Sequence, residues 1–502
     1  MILLGAADWL NTWLTPLWIL GLGALVALVA LVVIWLIVGV VARGGIPAVS
    51  RAVQEGPLLP IFWTVMAFAS FGVLGFFLVR DTGEIVTSVT RSPFTGSSVK
   101  QFTIPASAED EDPTPVPYAI SFRPNEIRTI EIESNQQVNA ISEIRGKDGE
   151  PLVNFEITAG ESGTWDRGLL LNNPFETEGL DQLLFTNQSE DAASVTVKTM
   201  TAPLHPQARS VLITAAAIVL TFLLYMLIRW LFPKTAAIAL ATSKSEMASP
   251  LFMLLLILGF FLLGLFMYLP YHTFGEDIKV LKDSGLTLIM VFAIVHAVWA
   301  ASTSVAEEIE GKTALTVLSK PIGRRQFILG KFLGISWSSA VLFILLGAWL
   351  LIVVSYKPIY DARETANTNP TWQVCHLEVV RTVPGLFLAY LETLVFAAIG
   401  VAISTRLPML ANIMICFVIY AFGHLTPLLV QGAGGQFENV QFVARFIATV
   451  LPVLDHFNIQ AAVAAGVGVS YGYLMWATVY CALYCTIAML LALILFEDRD
   501  LA

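Results

Sequence analysis

Nine long apolar runs constrain the fold of this chain more than any other feature of its sequence. Each run has about 20 residues, which is enough for a helix to cross the hydrocarbon core of a bilayer. A backbone inside lipid must satisfy its own hydrogen bonds, and a helix does so within one segment. The sequence therefore predicts an all-α polytopic membrane protein with about nine transmembrane helices. The predicted spans are Pro16–Val41, Leu58–Val79, Ser210–Phe232, Leu251–Leu269, Leu286–Val305, Phe332–Tyr356, Gly385–Ser404, Leu410–Val430 and Tyr471–Phe496.

The composition supports the same class of protein. Hydrophobic residues make up 56% of the chain, charged residues make up 13%, and the mean hydropathy is +0.74. A soluble domain does not have this balance. The excess of acid belongs to residues 80–208, which hold more than twice as many acidic as basic residues. This local acidity gives no argument for a nucleic-acid partner.

The distribution of Lys and Arg between short loops predicts the orientation of the spans. If the N-terminus is outside, the inward loops contain more basic residues than the outward ones. Residues 80–208 then lie outside the cell membrane. Several basic residues oppose this assignment because it places them in outward loops: Lys279, Lys282, Lys357, Arg363, Arg381 and Arg445.

Residues 80–208 are predicted to form an extracytoplasmic domain inserted between the second and third spans. The first part, to about residue 115, is rich in Ser, Thr, Pro and acid, which predicts a solvated linker. Short alternating segments follow, separated by turn residues, and they predict a β-sandwich-like domain. The predicted strands are Tyr118–Phe122, Ile127–Glu133, Val138–Ile144, Leu152–Thr158, Leu169–Leu171, Gln182–Asn187 and Ser194–Met200.

A charged loop, residues 306–331, lies between the fifth and sixth predicted spans. Its acidic residues come first, where they complement a helix N-terminus, and apolar residues follow. Pro321 and Gly323 end this element, so that a new helix begins at the membrane surface. The candidate site residues of the loop are Glu307, Glu308, Glu310, Gly311, Thr313, Leu318, Pro321, Arg324, Arg325, Gly330 and Lys331.

Residues 235–502 resemble the permease subunits of ABC transporters of the type-2 exporter class. The resemblance rests on the order, the spacing and the position between spans of a few short sequences. These are Glu307–Thr313, Leu318–Pro321, Arg324–Phe327, Gly330–Lys331 and the tail Phe496–Leu501. The three preceding spans and the β-rich domain are not part of the minimal pattern of that family. The predicted domains are thus 1–79, 80–208, 209–234 and 235–502.

The resemblance implies a non-enzymatic transporter subunit in the cytoplasmic (inner) membrane of a bacterium. In that family the loop forms a short coupling helix that docks on a separate ATPase subunit, which binds ATP and Mg. A second copy of the chain, or a related permease, would complete the membrane part. An ordinary basic loop that only fixes topology is the alternative for residues 306–331.

The tripeptide Gly311-Lys312-Thr313 does not predict a nucleotide site in this chain. A P-loop needs a glycine five residues before Gly311, and Ala306 occupies that position. A strand must also precede a P-loop, whereas an apolar membrane run ends at Val305. We therefore expect no ATP and no other cofactor to bind this chain itself.

Three polar residues within predicted spans are candidates for a role inside the membrane. Glu392 is costly to bury in lipid, so we expect it to face the bundle interior or a water-filled cavity, paired with His296 or His424. A neutral, hydrogen-bonded structural role is the alternative for Glu392. Cys375, His376 and Glu378 lie close together in a predicted outer loop and give only a weak indication of a metal site.

Two functions remain open from the sequence. The first is an exporter permease whose substrate is unknown. The second is a membrane-anchored sensor or assembly scaffold whose β-rich domain binds an envelope protein without moving cargo. Intramembrane catalysis has only Glu392 and scattered histidines in its favour. The segment from Gly432 to Ser470 is apolar but broken by Pro452 and Gly466, so it is not predicted to cross the membrane.

Overall fold

The structure is a computed structural model of the 502-residue chain. It describes residues 2–41, 56–107, 114–120, 123–142, 151, 153–167, 182–269, 277–308, 322–365, 368–432, 442 and 451–497. The chain divides into two compact units. The helical unit contains residues 1–79 and 213–502, and the β unit contains residues 80–212.

Apolar helices make up most of the helical unit. In chain order, the described α-helices are α1 (Ile2–Val41), α2 (Leu58–Leu78), α3 (Thr82–Arg91), α4 (Arg209–Leu231), α5 (Pro233–Met247), α6 (Pro250–Tyr268), α7 (Asp277–Ala301), α8 (Arg324–Glu364), α9 (Trp372–Ser404), α10 (Met409–Gly432), α11 (Gln460–Ala464) and α12 (Tyr471–Glu497). Among the described residues, eight helices are long and apolar enough to cross a membrane. Every predicted span coincides with a helix. The predicted span outside these eight, Leu410–Val430, corresponds to α10, of which Met409–Leu425 qualifies as a shorter apolar helix.

Several helices extend well beyond the apolar runs that predicted them. Helix α8 has 41 residues and α9 has 33, and both contain a proline within the helix. The sequence placed Lys282, Lys357 and Arg381 in outward loops, but they lie on α7, α8 and α9. Lys282 and Lys357 are also buried. The loop assignment was wrong for these residues because a charge ends an apolar run without ending a helix.

Close helix crossings at glycine hold the helical unit together. At the α1–α2 crossing, a Cβ on Gly21 would lie 2.6 Å from the carbonyl oxygen of Phe68, and one on Gly72 would lie 2.6 Å from that of Gly21. Trp18 donates its indole N–H to the carbonyl of Gly72 at 2.8 Å. Small residues allow membrane helices to approach closely, so that van der Waals packing replaces the missing hydrophobic drive.

Helix α5 was not predicted from the sequence, where only a loop was expected after the third span. It begins with Pro233 in its first turn, a position that tolerates proline because the missing N–H would be unpaired there. The helix packs against α8. A Cβ on Gly330 would lie 2.6 Å from Cβ of Ile238, and one on Gly334 would lie 2.6 Å from Cβ of Thr242. Helix α5 is therefore fixed to the first turns of α8.

The segment between α10 and α12 contains short elements in its described part. These are a 3-10 turn at Leu454–His456 and the five-residue helix α11. Within residues 451–470 no helix is long enough to cross a bilayer. Residues 433–441 and 443–450 lie outside the described residues.

In its described residues, the β unit contains two four-stranded antiparallel sheets that share one hydrophobic core. The strand orders are β1-β8-β3-β6 and β2-β7-β4-β5. The strands are β1 (Ser97–Ile104), β2 (Val116–Ala119), β3 (Ile127–Ser134), β4 (Val138–Ser142), β5 (Asn154–Ile157), β6 (Ser162–Asp166), β7 (Gln182–Asn187) and β8 (Ala193–Thr201). The inserted β domain is confirmed.

The prediction of a linker from residue 80 to about 115 was wrong in its first part. Helix α3 and strand β1 occupy this region, and Arg91 of α3 makes two hydrogen bonds of 2.7 Å to the carboxylate of Glu126. Strand β6 was also missed. The predicted strand Leu169–Leu171 lies outside the described residues, as do the acidic residues at 109–112.

Candidate functional site

The charged loop is described only at its two ends. Glu307 and Glu308 follow α7, while Arg324, Arg325, Gly330 and Lys331 belong to the first turns of α8. The other loop candidates, which include the expected coupling helix, lie outside the described residues: Glu310, Gly311, Thr313, Leu318 and Pro321. The coupling helix therefore stays a prediction.

The two ends of the loop are joined by an ion pair between a buried lysine and a half-buried glutamate. Nζ of Lys331 donates to Oε1 of Glu308 at 2.6 Å, and it also lies 5.4 Å from the centre of the Phe327 ring. Lys331 is only 5% exposed. Since Glu308 follows α7 and Lys331 lies on α8, the pair connects the last residues before the loop with the first helix after it.

Glu246 of α5 adds a second acid to this pair. It is 5% exposed, and burial raises the pKa of its carboxyl to about 7. Lys331 opposes this rise in the pKa, whereas the charge of Glu308 adds to it. Near neutral pH, Glu246 therefore exchanges its proton within the electrostatic influence of Lys331, which is itself paired with Glu308. We call Glu246, Glu308 and Lys331 the loop-end cluster.

Helix α7 ends in a π-helical turn, Ser302–Glu307, directly before the loop. Single π turns are uncommon and occur frequently at functional sites. The buried Asn412 of α10 fixes this turn, because its Nδ2 donates to Oγ of Ser302 and to Oγ of Ser404, each at 2.8 Å. The turn is thus linked to the ends of both α9 and α10. Sequence reasoning did not identify Asn412, which stands in an apolar run without a motif.

Helix α8 begins abruptly at Arg324. Oε1 of Gln326 accepts a hydrogen bond of 3.1 Å from the backbone N–H of Gly323, as in a capping box. Nη1 of Arg324 donates to the backbone carbonyl of Glu497 at 2.7 Å. Arg324 therefore connects the base of the loop with the end of α12, whereas Arg325 is exposed.

Of the three intramembrane candidates, Glu392 and His424 come together and His296 does not. His296 is fully buried, and its Nε2 lies 2.9 Å from Oγ of Ser338. Its ring packs edge-on against Phe252. This is the environment of a core histidine with a structural role.

Glu392 of α9 and His424 of α10 form the second candidate site. Nε2 of His424 lies 3.7 Å from Oε1 of Glu392, and the Glu392 side chain is 1% exposed. Neither oxygen of Glu392 has a hydrogen-bond partner among the described residues. Tyr420, whose ring contacts His424, lines a cavity of about 250 Å³ together with apolar residues of α7 and α10.

The far end of the helical unit, where α7 begins and α8 ends, holds two buried lysines that the sequence had placed in loops. Nζ of Lys282 donates to Oε2 of Glu378 at 2.7 Å and to the carbonyl of Val463 at 3.0 Å. Nζ of Lys357 lies 2.9 Å from Asp361 and 3.8 Å from Asp277. We call these residues the far-end pairs.

The weak metal indication at Cys375, His376 and Glu378 lies on α9 and not in an outer loop. Cys375 is fully buried, and Glu378 is occupied by Lys282. In the described part of the chain, the one close group of potential metal ligands is Asp277, Asp361 and Glu364. The ammonium of Lys357 already lies beside two of these carboxylates, which gives an ion-pair network.

The comparison with protein families covers the charged loop and the pair Glu392–His424, but not Glu246 of α5. Residues 271–501 match the family model described as ABC-2 family transporter protein. The ABC-2 match includes α7 to α12 and the charged loop. It begins after α5 and α6, so it is shorter than the resemblance at residues 235–502 that the sequence predicted. No curated protein matches the chain. The apolar helices and the ABC-2 match together indicate a multi-pass membrane protein with an ABC-2 transporter domain.

Proposed function

We propose that this chain is the permease subunit of an ATP-binding cassette exporter. The ABC-2 match over residues 271–501 is the observation that carries the proposal. A separate ATPase subunit binds ATP and Mg, docks on the loop between α7 and α8, and drives transport of a substrate by moving these helices. A second copy of the chain or a related permease forms the other half of the pathway.

The loop-end cluster supports this mechanism because it is a mechanical connection. A force applied to the loop reaches α7 and α8 together, since Glu308 and Lys331 are paired at 2.6 Å. The same force reaches α5, which packs on Gly330 and Gly334. The charge pattern of the loop, acidic first and basic later, offers the ATPase a polar docking element.

Charge reversal within the loop tests the proposal. The chain is purified from its native membranes, and the co-purifying ATPase is identified by mass spectrometry and assayed. Glu310→Lys should release the ATPase or abolish its stimulation while the protein still inserts and purifies. Unchanged co-purification and stimulation would contradict the proposed docking.

A variant of Glu308 needs a matched control because Glu308 also pairs with Lys331 within the protein. Glu308→Lys breaks the bond to Lys331, whereas the double exchange Glu308→Lys with Lys331→Glu restores an ion pair of opposite direction. If Glu308 acts only through Lys331, the exchange restores ATPase coupling. If the ATPase contacts the carboxylate of Glu308 directly, the double variant does not restore ATPase coupling.

The proposed topology places the loop in the cytoplasm and residues 80–208 outside, in the inner membrane of a bacterium. All four native cysteines are buried, so single introduced cysteines report accessibility with little background. A membrane-impermeant maleimide should label Glu190→Cys in intact cells and should label Lys312→Cys only after the membrane is opened. The reverse pattern would overturn the orientation and the docking mechanism together.

A further inference from the structure

The pair formed by Glu392 and His424 has an unusual arrangement of hydrogen-bonding groups. Nδ1 of His424 lies 3.3 Å from the backbone carbonyl of Tyr420, and a carbonyl can only accept. Because Nδ1 must donate to this carbonyl, the neutral ring carries its proton on Nδ1. Its Nε2 is then an acceptor, and it faces a carboxylate oxygen of Glu392 at 3.7 Å.

Two acceptors that face each other inside a membrane protein need a donor between them. The Glu392 carboxyl is buried, and neither of its oxygens has a hydrogen-bond partner among the described residues. An unpaired buried polar group costs free energy, and a buried charge costs more. The donor is either a single proton shared by the pair or a group that enters from outside.

The residues around Glu392 and His424 suit a cation that enters from outside. Phe396 lies one turn from Glu392 on α9, and Tyr420 lies one turn from His424 on α10. The ring centres of Phe396 and Tyr420 are 5.7 Å apart, and those of Tyr420 and His424 are 4.6 Å apart. Aromatic faces beside a carboxylate attract ammonium groups. Asp455, on the 3-10 turn, adds a further negative charge that acts on His424.

Tyr420 links the pair to the apolar cavity. The side chain of His424 is 25% exposed, whereas that of Glu392 is 1% exposed. The accessible part of the pair is therefore the imidazole. Tyr420 lines the cavity of about 250 Å³ and also contacts His424. An apolar tail in the cavity would hold a polar head near Tyr420, on the side of the ring's neighbour His424.

We propose that Glu392 and His424 bind the primary ammonium group of an amphiphilic amine, whose apolar tail occupies the cavity between α7 and α10. A primary ammonium has several N–H donors. Its nitrogen can lie to one side of the line that joins the two acceptors and donate to both at about 2.9 Å. A quaternary ammonium has no N–H and satisfies neither acceptor. The identification of such an amine as cargo rests on the proposed permease function, whereas binding itself does not.

The test compares three probes of equal tail length on the full chain in lipid nanodiscs, with empty nanodiscs subtracted. Isotope-labelled octylamine, which is protonated at neutral pH, should bind at least tenfold more tightly than octyltrimethylammonium. Octanesulfonate, which is an anion, should show no binding above the lipid background. This comparison needs only the wild-type protein, so it holds even if a variant fails to fold.

Variants locate the binding. Glu392→Gln should weaken octylamine binding at least tenfold, and His424→Phe should remove the preference for octylamine over octyltrimethylammonium. Glu364→Gln, which neutralises an exposed carboxyl at the end of α8, should bind octylamine as the wild type does. Equal binding of the three probes, or unchanged binding by Glu392→Gln, would show that the pair holds only a proton. No ATPase is present in this assay, so its outcome is separate from the coupling experiment.

Discussion

The two ends of the helical unit both bury lysines, but they balance the charge differently. At the far end, Lys282 donates to Glu378 and to a backbone carbonyl, and this lysine is 1% exposed. At the loop end, Lys331 pairs with Glu308, and the nearby Glu246, whose pKa burial raises to about 7, also feels the charge of Lys331. The far end is a fixed connection, whereas the loop end changes its charge near neutral pH.

The largest effect is expected from breaking a far-end pair. Glu378→Ala leaves Lys282 buried without its carboxylate, and an uncompensated buried charge typically costs about 3–5 kcal/mol. We expect a large drop in the thermal unfolding temperature of the purified protein. The double variant Lys282→Met with Glu378→Leu is the control, since it removes both charges and should recover most of the loss. Similar unfolding temperatures for Glu378→Ala and the wild type would contradict the fixed role of this end.

The pH dependence of stability distinguishes the loop end. The folded protein keeps the Glu246 proton up to a pKa of about 7, whereas the unfolded carboxyl releases it near 4.5. The folded state therefore binds more protons between these values, so this contribution to stability is complete below pH 4.5 and is lost as the pH rises to about 7. The total loss is about 3 kcal/mol at most.

Glu246→Gln should remove this dependence because glutamine cannot titrate. The measurement is the thermal unfolding temperature across that pH range, with the exposed Glu156→Gln as the matched control. A Glu246→Gln protein that loses stability with rising pH as steeply as the wild type would show that another group titrates.

The crossing of α5 and α8 gives a smaller effect. Gly334→Ala would place a Cβ 2.6 Å from Thr242 and 2.7 Å from the carbonyl of Ala239. The helices must separate, and overpacking of this kind costs about 1–3 kcal/mol. Gly323→Ala is the control, because nothing lies within 4 Å of its added Cβ. Thermal unfolding should show a loss for the first variant and little change for the second.

The smallest effect is expected from Glu308→Gln. The side chain of Glu308 is 33% exposed, and Glu246 remains available to Lys331. We expect a loss of about 1 kcal/mol. The charge of Glu308 raises the pKa of Glu246, so its removal should lower the pH at which stability is lost. An unchanged midpoint would indicate that the two acids do not interact.

The sequence predicted those parts of the fold that depend on local pattern. Every apolar run is part of a helix, since an apolar stretch of that length has few other stable forms in lipid. Lys282 and Lys357 were misplaced because counting charges in loops assumes that a charge marks the end of a helix. Strand β1 was missed because most of its side chains are exposed and its partner β8 is distant in the sequence. Its hydrogen bonds depend on pairing between Ser97–Ile104 and Ala193–Met200, which no local pattern reveals.

The candidate sites were predictable to different degrees. Charge and spacing indicated Glu308 and Lys331, and the cost of a buried carboxylate indicated Glu392 together with two possible partners. Choosing His424 over His296 required the packing of α9 on α10. Glu246 and Asn412 act only through neighbours from other helices, so neither has a signal in the sequence alone.

The π-helical turn at Ser302–Glu307 contains one residue more than an α-helical turn would need. If this turn relaxed to an α-helix, every residue after it would rotate about the axis of α7 by roughly 100°, the angle of one helical residue. Glu308 would then turn away from Lys331 without any bending of the helix. The hydrogen bond from Asn412 to Ser302 fixes the first residue of this turn to another helix, so a change of register in the turn would be felt at Glu308 and not before Ser302.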